Sequence, residues 1–124
     1  MAPVPSWFRW LAYVMAALFA VCVALQYNDP DPIRWMAIYG AAMVISALLP
    51  GRRAVALPGT IAALAAAAWS AYLAAGVWDQ IALSDLWLKM SEKGGAVEEG
   101  REAGGLAIVA AWLLAACAFR RRRA

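Results

Sequence analysis

The 124-residue chain contains no histidine. That absence excludes imidazole-ligated zinc or haem and imidazole acid–base catalysis. Cysteine is scarce too. Cys22 and Cys117 stand in different apolar segments and form no Cys-x-x-Cys, so thiol redox chemistry is not expected. Charge is thin, at 15% of residues where about 25% is usual. Apolar residues fill the space instead. They make up 65% of the chain, against roughly 45–50% in a soluble domain, and mean hydropathy is +0.65. A soluble globule this small has too high a surface-to-volume ratio to hide so much apolar surface. The expected class is an integral membrane protein.

A membrane helix needs about 20 apolar residues. Four segments qualify or come close, at 7–26, 33–49, 60–78 and 104–119, and none contains Asp, Glu or Lys. Arg9 and Arg34 lie near segment ends, where a long side chain can reach the headgroups. The expected fold is all-α: an integral membrane four-helix bundle forming one domain over 1–124. The first segment is read as a retained helix and not a cleaved signal, because it is long for a signal core and lacks a small-x-small cleavage site.

Charge sorts by side. With both termini placed together, one side holds Arg9, Arg52, Arg53 and Arg120 to Arg123 and no acid. The other side holds Arg34, Lys89, Lys93, Arg101 and all eight acids. The positive-inside rule then puts both termini in the cytoplasm. The Ala- and Arg-rich composition leans bacterial, which would make the location the inner membrane and the outer side periplasmic.

Small residues suggest how the helices pack. The first segment carries Ala12, Ala16, Ala20 and Ala24, and the third carries Ala62, Ala63, Ala66, Ala67, Ser70, Ala71 and Ala74. Such faces let backbones approach closely, which gives a tight bundle or a docking surface for another protein. Trp7, Trp10, Trp35, Trp78 and Trp87 fall near segment ends, as an interfacial aromatic belt requires, while Trp69 and Trp112 lie deeper.

The outer side carries two polar motifs. The first is Asn28-Asp29-Pro30-Asp31-Pro32, where Asn28 suits a helix end and Asp31 an N-cap before Pro32. The second is Glu98-Glu99-Gly100-Arg101-Glu102, just before the fourth segment, with acids that favour a helix N-terminus. Between them, Leu83, Leu86, Trp87 and Met90 recur at helical spacing with Asp85, Lys89, Glu92 and Lys93 opposite. This predicts a short amphipathic helix over 84–93 on the outer membrane surface. If the two motifs meet, Arg101 pairs with Asp29 or Asp31, and Arg34 adds a second cation. A cation site is the weaker alternative, with Asp29, Glu98 and Glu102 as its oxygen ligands.

At these motifs the sequence resembles the transmembrane protein 220 family. The first block is Gln26-Tyr27-Asn28-Asp29-Pro30-Asp31-Pro32 with Trp35 and Tyr39. The second is Glu98-Glu99-Gly100-Arg101-Glu102 with Gly105-Leu106 and Ala111-Trp112. The resemblance implies a small four-helix membrane protein and supplies no biochemical activity. It places the emphasis on Asn28, Asp29, Asp31, Trp35, Tyr39, Glu98, Arg101 and Glu102.

Several functional classes remain. A non-catalytic accessory or scaffold subunit of a larger membrane complex fits the absence of catalytic groups and the small-residue faces. A transporter or channel working as an oligomer is the alternative, although the segments contain no Asp, Glu or Lys, and their Arg9 and Arg34 stand near the ends, so no charged residue lies deep enough to mark a proton or ion path. An outer-face metal- or lipid-binding protein is a further alternative. An enzyme is not expected, nor any cofactor. The expected partners are the lipid bilayer and a membrane protein or second copy of the chain. Nucleic acid is not among them, because the Arg tail serves as a topology anchor that attracts anionic lipid.

Overall fold

A computed structural model of the chain describes residues 4–28, 32–77, 79 and 96–122, apart from the side chains of 28, 77 and 96–99. Four α-helices run through the described residues: α1 Ser6–Leu25, α2 Pro32–Leu48, α3 Ala56–Val77 and α4 Ala96–Arg122. The 84–93 segment and its expected amphipathic helix lie outside the described residues.

Local chemistry sets the helix ends. The last turn of α1 tightens into a 3-10 turn at Gln26–Asn28, where Gln26 Nε2 donates to the Cys22 carbonyl at 2.9 Å. Pro32 opens α2 at a position whose N–H no helix needs. Pro50, buried just after α2, has no N–H to continue it. The chain reverses there, with Gly51 N and Arg52 N both donating to the Leu48 carbonyl. A 3-10 turn at Arg53–Val55 then leads into α3. That helix starts four residues before the expected Thr60, because Pro58 falls in its first turn, where proline is tolerated. The Thr60 hydroxyl donates to the Ala56 carbonyl at 2.8 Å inside that turn.

The largest departure from the sequence reading is α4. It begins at Ala96, not 104, so residues 98–102 belong to the helix and do not precede it. Gly104, the expected start, is helix interior, as is Gly105. At 1.5 Å per residue its 27 residues span about 40 Å, longer than a hydrocarbon core of about 30 Å. Three helical stretches are long and apolar enough to cross a membrane: Ser6–Leu25, Arg53–Gly76 and Gly100–Arg122. Pro32–Leu48 is apolar but shorter.

The helices alternate in direction. Both ends of the chain and the α2–α3 turn therefore share one end of the bundle, called here the terminal end, and the opposite end is the distal end. The most extensive packing joins α3 to α4, and the next joins α1 to α2. The inward residues follow a 3-4 spacing in every helix. They are Phe8, Ala12, Met15 and Phe19 in α1, and Trp35, Tyr39, Ala42 and Ser46 in α2. In α3 they are Ala56, Gly59, Ala63 and Ala66, and in α4 Ala103, Leu106, Ala110, Leu113 and Cys117. A mean repeat of 3.5 keeps a seam facing its neighbour. The strict i+4 ladder expected for α1 cannot do so, since each step turns it about 40° around the axis. Ala12 is buried, Ala16 and Ala20 are half-buried and Ala24 is exposed.

Candidate functional site

The first sequence block enters the bundle through α2. Trp35 and Tyr39 are one helical turn apart on its inward face, 2% and 9% exposed. The Trp35 ring stacks on Trp69 of α3 with centroids 4.5 Å apart and planes at 18°. Trp35 is therefore an inward packing residue, which corrects its expected place in an interfacial belt. Trp7 and Trp10 lie in the first turns of α1 at the terminal end, and both are more than half exposed. The Arg34 guanidinium lies 5.4 Å from the Trp35 ring centroid and 5.7 Å from that of Trp69. Both distances fall within the range of a cation–π contact. One cation thus covers two rings and closes this corner between α2 and α3.

The indole nitrogen of Trp35 has no hydrogen-bond partner, although it is fully enclosed. An enclosed donor without an acceptor costs about 1–3 kcal/mol. This is the one orphaned side-chain polar atom in the interior among the described residues.

Tyr39 lies deeper. Its ring packs beside Phe19 of α1 at 6.5 Å. Its hydroxyl reaches α4, where it sits in the space that a β-carbon on Gly105 would fill. Beside this contact, the Ser70 hydroxyl donates to the Ala103 carbonyl at 2.7 Å and ties α3 to α4. α2 and α3 therefore both reach this part of α4, and α1 packs behind Tyr39.

Of the residues picked from sequence, the structure sets Trp35 and Tyr39 on one face of α2 and places Glu102 on α4, three residues before the Gly105 that Tyr39 meets. Arg101 and Glu102 are half-buried, and both are engaged in contacts. Asp29 and Asp31, the expected partners of Arg101, lie outside the described residues, as do the side chains of Asn28 and Glu98. Of the three candidate cation ligands, only Glu102 is placed. Among the described residues no three His, Cys, Asp or Glu side chains come together to hold a metal.

Sequence reasoning missed three features. The first is the close approach of Gly105 to Tyr39, for which the place of Gly105 within the second block was the available signal. Ser46, fully buried, accepts a hydrogen bond at 2.9 Å from the Trp112 indole N–H, joining α2 to α4. Arg120, read as part of an anchoring tail, is 2% exposed, and its Nε donates to the Leu49 carbonyl at 2.9 Å. It caps the C-terminus of α2, where a cation also meets the negative end of the helix dipole. Arg53 does the same for α4, donating from Nη2 to the Arg121 carbonyl at 2.7 Å.

The family model described as Transmembrane family 220, helix, matches residues 18–118. The chain belongs to this family. The match takes in both sequence blocks, and the Tyr39–Gly105 contact joins them in the family 220 fold. No solved structure matches the chain. Family membership together with the three long apolar helices makes this a small multi-span membrane protein.

Proposed function

We propose that this protein is a non-catalytic accessory or scaffold subunit of a larger membrane protein complex. One observation carries the reading: α4 presents Ala107, Ala111, Ala115 and Ala118 on its outward side, all exposed. Small residues on an exposed helix face admit the close approach of another helix backbone. An apolar groove of about 240 Å³ runs along this side, with Trp7, Leu11, Trp112, Ala115 and Phe119 among its walls. In this reading both termini are cytoplasmic in a bacterial inner membrane, and the 84–93 segment lies on the outer surface as an interfacial helix.

The test is in-membrane crosslinking followed by native mass spectrometry in mild detergent, comparing the unaltered chain with Ala111→Trp. The reading expects a stoichiometric partner protein that Ala111→Trp displaces while helicity and thermal stability hold. A bare monomer or a homo-oligomer alone from native membranes contradicts it.

The orphaned Trp35 N–H supports a second reading, an outer-face binding role for the cluster of Asn28, Asp29, Asp31, Trp35, Tyr39, Glu98, Arg101 and Glu102. An acceptor brought by a bound molecule would satisfy that donor, and Arg34 beside it favours an anionic one. Trp35→Phe removes the donor and keeps the ring. Under this reading it lowers retention of a bound small molecule in native mass spectra without loss of fold. Unchanged retention contradicts it.

A further inference from the structure

At the terminal end a groove of about 520 Å³ opens between the start of α3 and the end of α4, lined by Arg53, Ala54, Ala56, Leu57 and Arg121. Two guanidinium groups border it, and no acid is among its lining residues. The charge is uncompensated on a wider scale as well. The chain has no Asp or Glu before residue 29, between 32 and 78, or after 102, so the segments that build this end carry none. The Arg53 side chain is held in place by its hydrogen bond to the Arg121 carbonyl, while the Arg121 side chain is exposed beside it. Arg53 opens one stretch long and apolar enough to cross a membrane, and Arg121 stands one residue before the end of another, so a bilayer spanned by these stretches has its headgroups at the level of the groove. Below the arginines, Leu57 is 61% exposed and offers an apolar wall toward the membrane interior.

We propose that this groove is a binding site for the phosphate of an anionic phospholipid headgroup. Arg matches phosphate through paired N–H donors at fixed geometry. A positive charge next to an exposed leucine at headgroup depth fits a molecule with an anionic head and an acyl tail better than a free anion. Basic pockets between membrane helices take acidic lipid heads in this way. The site is at the opposite end of the molecule from the Trp35 and Tyr39 cluster and does not depend on either functional reading above.

The test is native mass spectrometry of the full chain in mild detergent at physiological salt, titrated with phosphatidylglycerol or with phosphatidylcholine. The unaltered chain retains phosphatidylglycerol in preference to phosphatidylcholine. Arg121→Gln removes one charged partner and leaves the Arg53 hydrogen bond intact, because the backbone carbonyl accepts it. It weakens phosphatidylglycerol binding about tenfold, as loss of a charge-assisted hydrogen bond implies. Arg122→Gln removes the same charge from a residue that does not line the groove and so lacks a direct contact with the phosphate, and it weakens binding clearly less than Arg121→Gln does. Thermal unfolding of each variant separates loss of binding from loss of fold. Equal retention of both lipids overturns the proposal, as does an equal effect of the two substitutions, which would mean general surface attraction. Displacement of the lipid by low-millimolar inorganic phosphate also overturns it, in favour of a free-anion site.

Discussion

The Tyr39 hydroxyl on α2 fills the volume that a β-carbon at Gly105 would occupy on α4. The two residues are 66 positions apart in sequence, one from each block that carries the family resemblance. Their contact makes glycine at 105 a steric requirement and not a flexible point. Gly104 beside it has open space where its β-carbon would stand, so the two adjacent glycines differ in kind. Gly104→Ala should therefore be neutral or gain up to about 1 kcal/mol from helix propensity. Denaturant titration in mixed micelles reads the difference.

A second close approach holds the terminal half of the bundle. A β-carbon on Gly59 would lie 2.5 Å from Cys117 Sγ and 3.0 Å from Ile45 Cγ2, so three helices meet with no spare volume. Gly59→Ala should destabilise the bundle by about 1–3 kcal/mol through overpacking. Adding Cys117→Ala should restore part of the loss by removing the nearer obstacle. Stability of the single and double variants checks this.

The Ser46–Trp112 hydrogen bond joins the two helix pairs in the bundle interior. Ser46→Ala leaves the indole N–H without its partner at a cost of about 1–3 kcal/mol. In a Trp112→Phe background, where no donor remains, the same substitution should cost much less. The four unfolding curves of a double-mutant cycle give the coupling.

Arg120 should not be replaceable by another cation. Its Nε reaches the Leu49 carbonyl from a buried position, and the guanidinium fork holds that geometry where a lysine ammonium does not. Arg120→Gln should lower stability by about 1.5–3 kcal/mol, the range for a hydrogen bond to a charged group. Arg120→Lys should recover less than half of it. Arg122→Gln, at an exposed position, should change stability by no more than about 0.5 kcal/mol.

How much of this was legible follows from where each signal lives. Segment composition alone announces four apolar helices, because burial in lipid demands it at every position. Proline chemistry places both ends of α2. The inward faces are harder to read. In α3 nearly every position is apolar and small, so periodicity cannot tell Ala63 and Ala66, which are buried, from Ala65 and Ala68, which are exposed. Only the 3-4 seam against α4 separates them. Trp35 reads as a belt residue from its place near a segment end, yet its partner Trp69 is 34 positions away and only the fold pairs them. Arg120 looks like its three neighbours in the tail, and its burial depends on the Leu49 carbonyl coming alongside. The expected links from Asp29, Asp31 and Glu98 fall outside the described residues, so that part of the cluster rests on the sequence.

The central claim is that both sequence blocks build one interlocked unit at the distal end, through Tyr39 and Gly105. The most direct measurement is a four-protein unfolding cycle of the unaltered chain, Gly105→Ala, Tyr39→Phe and the double variant. In the presence of Tyr39, Gly105→Ala should destabilise by about 1–3 kcal/mol, the cost of overpacking. With Phe at 39 the hydroxyl is gone and the next ring atom stands 3.5 Å from the new methyl group, an ordinary contact. Gly105→Ala should then be neutral or stabilising, by up to about 1 kcal/mol. If it costs the same in both backgrounds, the two blocks are not joined through this contact and the claim fails.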